Sequence, residues 1–199
     1  MVRKINIGVI GIQGAVSEHV SIMKKVFSET NTPGEVFIIH QKEQLDAVNG
    51  LILPGGESTT ISKILIKTGL QNEIKSRIKK QNIAIMGTCA GCVLLADNIS
   101  DEEKEIKPLG AIDITVRRNA FGRQRESFEQ EIHISGFDKT YSAVFIRAPI
   151  IEKVGDNCKV LAKIDNKIVM VKQGKILALS FHPELTEDLR IHKYFLDII

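Results

Sequence analysis

Tryptophan is absent from this 199-residue chain, and only two tyrosines are present. Proteins that hold single-stranded nucleic acid stack bases on such rings, so little stacking surface exists for that purpose. An excess of one charge is missing too. The formal net charge is +3, and the basic residues form short pairs such as Lys24-Lys25 and Lys79-Lys80 rather than a stripe. A nucleic-acid footprint is not expected. No apolar run approaches the roughly 20 residues of a membrane span. Cysteine is scarce, and three is an odd number, which argues against a disulfide framework. Residues 1–3 lead directly into the strand-like INIGVIGI, with no cleavable leader pattern. These absences point to a cytoplasmic protein with reduced thiols and with neither nucleic acid nor membrane as a partner.

What remains is ordinary globular composition, 43% hydrophobic and 26% charged. The length suits one well-packed domain. No repeat, low-complexity tract or linker interrupts it, so residues 1–199 are expected to form a single domain. KINIGVIGI (4–12) is a near-continuous apolar run, the mark of a strand buried on both faces. AVSEHVSIMKKVF (15–27) places Val16, Val20, Met23 and Phe27 at helical spacing. GEVFIIH (34–40) predicts a second strand, residues 45–56 a short helix and a third strand at 51–53, and IAIMG a fourth, with a helix over 90–97. TTISKILIKTG and LQNEIKSRIKKQN read as helices. Alternating strands and helices imply an α/β three-layer sandwich around a mostly parallel sheet. After residue 108 the segments LGAIDITV, FEQEIHI, SAVFIRAP, KVLAKID, KIVMVKQ and KILALSF are strand-like, which predicts an antiparallel extension; a helix over about 186–198 closes the chain.

Gly8, Gly11 and Gly14 in GVIGIQG are spaced G-x-x-G-x-x-G, not G-x-G-x-x-G, and no acidic residue closes the second strand. Tight strand-to-helix packing explains them better than dinucleotide binding. LPGGEST (53–59) follows a buried strand. Its paired glycines let the backbone bare N–H groups that can hold an anion or a developing oxyanion. The plainer reading is a turn with Ser58 or Thr59 as a helix cap.

GTCAG places Cys89 between a strand and a helix in the G-x-C-x-G form of a nucleophile elbow. There the helix N-terminus favours a thiolate, and the N–H of Ala90 points where an oxyanion would form. A buried, inert cysteine is the alternative. Such a nucleophile needs a base. His19 and His192 fall in helix patterns and read as surface residues, and His133 reads as the exposed face of a strand. His40 ends a strand without a nearby carboxylate. His182 ends the apolar ILALSF and is followed by Pro183 and Glu184. In an extended segment residues two apart point the same way, so Glu184 could orient the imidazole.

PGGEST, GTCAG and SFHPELTED resemble the class I glutamine amidotransferases of the Cys-His-Glu triad type. More narrowly, GVIGIQGAVSEH, LILPGGESTT, RNAFGRQRESFE, VFIRAP and SFHPELTED are similar to the glutaminase subunits of pyridoxal 5'-phosphate synthase, over residues 8 to 188. The resemblance implies that Cys89 attacks the side-chain amide of L-glutamine, that His182 moves the proton, and that Glu184 orients His182. It implies an oxyanion hole from the N–H groups of Gly56 and Ala90. Glutamine would be bound by Gly56, Glu57, Ser58, Arg118, Ile146 and Arg147. Ammonia would pass to a synthase subunit with a (β/α)₈ barrel, with Gln13 near that interface. No cofactor and no metal are implied. Two positions depart from the family's habit: Cys92 replaces an aliphatic residue, and Arg117 stands where an acidic residue is frequent.

Other readings remain open at this stage. A glutaminase serving another amidotransferase, such as imidazole glycerol phosphate synthase, would share every catalytic residue. Cys89-Ala90-Gly91-Cys92 also has the C-x-x-C form of a thiol–disulfide protein, but that leaves His182, Glu184 and the PGGEST loop without a purpose. A zinc site lacks a second cysteine pair. A module that only binds would have no need of the three triad residues.

Overall fold

The computed structural model describes residues 4–101, 105–121 and 127–199. Strand β1 (Ile5–Ile10), helix α1 (Val16–Thr30), strands β2 (Gly34–Ile39) and β3 (Gly50–Leu53), helices α2 (Ser58–Lys67) and α3 (Leu70–Lys79), strand β4 (Ala84–Thr88) and helix α4 (Ala90–Leu95) come first. The remaining strands are β5 (Ala96–Ile99), β6 (Ile112–Arg117), β7 (Ser127–Ile132), β8 (Tyr141–Ile146), β9 (Ile150–Val154), β10 (Lys159–Ile164), β11 (Lys167–Gln173) and β12 (Ile176–Leu179), before helix α5 (Arg190–Asp197).

The main sheet has the order β2-β1-β3-β4-β12-β11-β9-β6-β5, with β10 also paired to β11. Strands β2, β1, β3, β4 and β12 run parallel. The sheet turns antiparallel from β12 to β11, β9 and β6. Strands β7 and β8 form a separate antiparallel pair. This is the expected α/β architecture with an antiparallel extension.

Residue alternation along the central strands supplies two apolar layers. Ile7, Val9, Ile52, Met86 and Leu177 face α1 and α5, where Met23, Val26, Ile191 and Phe195 cover them. Ile10, Leu51, Leu53 and Ile85 face the other way, beneath α2, α3 and α4. Burying each such side chain stabilises the fold by about 1.5–3 kcal/mol. Both faces of the parallel half are covered, which is why its strands read as unbroken apolar runs.

Several boundaries differ from expectation. Helix α4 stops at Leu95, and Ala96 enters β5 rather than continuing a helix to residue 97. The short helix before β3 is a 3-10 turn over Lys42–Ala47. The last helix begins at Arg190, not near residue 186, behind a 3-10 turn at Pro183–Leu185. Strand β9 was not anticipated at all. Among the described residues no helix is long and apolar enough to cross a membrane.

Candidate active site

The carboxyl ends of β4 and β12 carry Cys89 and His182, and the local sequence explains why. After β4 the chain turns sharply at Cys89, which has φ 49° and ψ −104°. A β-carbon residue held at positive φ is strained, and strain of this kind persists only where the surroundings enforce it. Here the Cys89 N–H donates to the Leu179 carbonyl at 2.8 Å, and the Cys89 carbonyl accepts from the Val93 N–H at 3.3 Å. Helix α4 then packs directly on β3: a Cβ at Gly91 would lie 2.0 Å from the Leu53 carbonyl oxygen. The small residues of GTCAG are thus needed for close approach. The Cys89 Sγ faces the Ile146 carbonyl oxygen at 3.6 Å.

His182 is fixed by its own N–H, which donates to the Val144 carbonyl of β8 at 2.8 Å. Its Nδ1 lies 2.7 Å from Glu184 Oε1. The expected pairing is present, but its cause differs. Residues 183–185 form a 3-10 turn with His182 at its start, so the turn, not an extended strand, brings the two side chains together. His182 Nε2 is buried and has no aligned hydrogen bond. A Cβ at Gly55 would fall 2.4 Å from His182 Cε1 and 3.4 Å from Cys89 Cβ, so Gly55 packs against both residues. Burial alone would lower the His182 pKa; Cys89 and Glu184 overcome it and raise the value to about 10. Burial likewise opposes ionisation of Glu184, yet His19 and His182 hold its carboxyl below the usual range.

A cleft of about 500 Å³ opens over Cys89. Gln13, Gly56, Glu57, Ser58, Cys89, Ala90, Arg118, Ile146, Arg147 and His182 all line it, and Glu184 stands behind His182. Ser58 or Thr59 was the expected cap of α2. Glu57 takes that place, its carboxylate accepting from the N–H groups of Thr59 at 3.3 Å and Thr60 at 2.8 Å. Those bonds lower the Glu57 pKa against the opposing effect of burial. Gln13 Oε1 accepts from the Glu57 N–H at 3.3 Å, which ties the loop after β1 to the glycine turn. The Arg118 Nε donates to Asp101 Oδ2 at 2.7 Å. Arg147 has φ 44°, a second strained position on the rim. Of the RNAFGRQ segment, residues 122–124 lie outside the described residues.

His40 and His133 are exposed and do not line the cleft. His19 and His192 are not surface residues: both are fully buried. His19 lies on the stripe of α1 that also carries Ile22, Met23 and Val26, and that position was the signal available in the sequence. Cys92 is fully buried as well, and burial pushes its thiol far up. Cys89 and Cys92 are both free thiols, and Cys92 packs among apolar residues. Arg117 pairs with Glu152 at 2.9 Å. No metal-binding cluster occurs among the described residues.

A family model described as the SNO glutamine amidotransferase family matches residues 9–199. The chain belongs to this family. The pyridoxal 5'-phosphate synthase subunit PdxT of Methanococcoides burtonii is 49% identical over 96% of this chain and 97% of its own length. The PdxT subunit of Thermococcus onnurineus is 46% identical over 96% of this chain and 98% of its own. A solved structure titled as a glutamine amidotransferase superposes with a TM-score of 0.89 at 42% identity, covering 96% of this chain and 97% of that one.

Proposed function

We propose that this chain hydrolyses L-glutamine to L-glutamate and ammonia, and that the ammonia serves pyridoxal 5'-phosphate synthesis by a partner synthase subunit. The observation that carries the reading is that Cys89 and His182 line one cleft, with Glu184 Oε1 2.7 Å behind His182 Nδ1, in a chain of the SNO family. In this reading the Cys89 sulfur attacks the side-chain amide carbon. His182 receives the thiol proton and gives it to the departing ammonia. Its raised pKa suits the donor role. Glu184 holds Nδ1 and balances the imidazolium charge. Water then cleaves the γ-glutamyl thioester. The N–H groups of Gly56 and Ala90 would stabilise the oxyanion, where losing one donor typically costs about 10²–10³ in rate. Arg118, Arg147, Glu57, Ser58 and Ile146 surround the space left for the amino acid's charged end. An arginine suits its carboxylate and an acceptor its ammonium.

Ile146 and Leu185, exposed at 38% and 44%, stand at the rim of the cleft. Such apolar residues suit docking of the barrel subunit over the opening, with Gln13 at the same edge. Incubation with a glutamine-derived affinity label should modify Cys89, and Cys89→Ala should abolish glutamate release. Labelling confined to another residue would overturn the assignment. Glutamate release should also rise when the barrel subunit is added, because the Gly55-Gly56 peptide can reorient at low cost. Equal rates with and without it would exclude activation by the partner.

A further inference from the structure

Behind Glu184 the polar chain continues into the core. His19 Nε2 lies 3.3 Å from Glu184 Oε2 and 3.2 Å from Thr88 Oγ1. His19 Nδ1 lies 3.2 Å from His192 Nε2. All three outer members, His19, Thr88 and His192, are fully buried. Glu184 Oε2 has no aligned hydrogen bond, nor has His192 Nδ1. A buried carboxylate oxygen left without a donor is costly, so the identity of the proton on His19 matters.

Of the two neutral arrangements of protons, one conflicts less with these contacts. Suppose His19 carried its proton on Nδ1. It would donate to His192 Nε2, which would leave an N–H on His192 Nδ1 with nothing to receive it. The bare lone pair of His19 Nε2 would then face a carboxylate. With the proton on Nε2 both conflicts vanish. His19 offers its N–H to Thr88 Oγ1 and turns the same positive edge toward Glu184 Oε2, its Nδ1 accepts from His192 Nε2–H, and His192 Nδ1 is left as a bare lone pair.

We infer that His19 is a positioning residue for the triad: a neutral imidazole, oriented by His192, whose Nε2–H edge faces Glu184 Oε2 at 3.3 Å and so keeps Glu184 ionised and aimed at His182. The inference rests on the glutaminase reading above. It also accounts for a polar residue on the apolar stripe of α1, where a leucine would otherwise fill the space. Burial is the main cause that lowers the pKa of both His19 and His192, in keeping with neutral rings. The other titratable groups that act on His19 or Glu184 are His182 on the 3-10 turn, Glu18 on α1 and Tyr141 on β8. Lys25 and Glu187, near the outer side of Glu184, pair with each other at 2.6 Å.

Two substitutions separate positioning from mere filling. In His19→Gln the amide nitrogen stands where Nε2 was; in His19→Asn it stands where Nδ1 was. Glutamine hydrolysis should be followed against pH for both, with the barrel subunit present. Without that N–H edge beside it Glu184 takes up a proton more readily. His19→Asn should therefore move the acid limb of kcat/KM up by about one pH unit, the size of one lost close polar contact with a charged group. His19→Gln should leave the limb near that of the unmodified chain. Equal limbs in the two variants, or a larger shift in His19→Gln, would overturn the inference. A measurement on the unmodified protein needs no variant to fold. Magnetic resonance of isotope-labelled histidine should show His19 as the neutral Nε2–H form near pH 7. A Nδ1–H form or an imidazolium there would overturn it. Absence of any glutamine hydrolysis that depends on Cys89 would sink the glutaminase reading instead, and the ring assignment distinguishes the two failures.

Discussion

At the scale of single residues, the two cysteines of the elbow divide the work between them. Cys89 is strained and faces the cleft; Cys92 lies one turn on, fully buried among the apolar residues of α4 and its neighbours. A thiol in such a place packs as a small hydrophobe. Cys92→Ala is expected to keep most of the glutaminase activity and to cost about 1 kcal/mol of stability, as modest core truncations do. Denaturant unfolding beside a glutamate-release assay under reducing conditions reads both quantities. Loss of activity in a folded Cys92→Ala protein equal to that of Cys89→Ala would contradict this division.

Among elements, the elbow binds the parallel strands to α4. Gly91 allows α4 to rest on β3, since a Cβ there would meet the Leu53 carbonyl oxygen at 2.0 Å. Backbone cannot yield as a flexible side chain can, so Gly91→Ala must push α4 outward. The expected outcome is a loss of about 1–3 kcal/mol, together with a fall in activity, because Cys89 begins the same helix. Comparing urea midpoints and glutamate release in the variant checks both, and an unchanged midpoint would show that α4 has room to move. The same elbow was plain in the sequence, because a tight turn restricts which residues fit. The parallel strands were plain too, since burial on both faces leaves a continuous apolar run. Strand β9 was hidden because Ile150 and Ile151 are both buried while Glu152 and Lys153 are both exposed, a break in alternation that accompanies the register shift in its pairing with β6. Strand β5 was hidden because it is short, lies at the sheet edge, and exposes Asp97 and Asn98. Glu57 as a cap and the 3-10 turn at His182 depend on how loops meet, which local spacing does not encode.

For the molecule as a whole, the buried histidines set how stability responds to acid. His19 and His192 read as surface residues when residue type alone is weighed; the stripe of α1 pointed His19 inward, but its partners Glu184, Thr88 and His192 lie far away along the chain and only the fold brings them together. Both have pKa values lowered chiefly by burial. A group whose folded pKa is depressed gives stability that is present above its unfolded value, near 6.5, and lost as pH falls below it. His182 has the opposite sign. Its folded pKa is raised to about 10, so its contribution is already complete below its unfolded value and adds no slope there. The carboxylates that are held low titrate further down. Between pH of about 6.5 and 5, then, the slope should come from His19 and His192, approaching about 1.4 kcal/mol per pH unit for each ring. Urea unfolding at steps across this window should show the free energy falling with acid. Replacing His192 with phenylalanine removes one of the two rings that must stay neutral, so the slope should drop by about half even if the variant starts less stable. A profile that is flat across the window in the unmodified chain would mean that the rings accept protons in the folded state, and the neutral core assigned to them would be wrong.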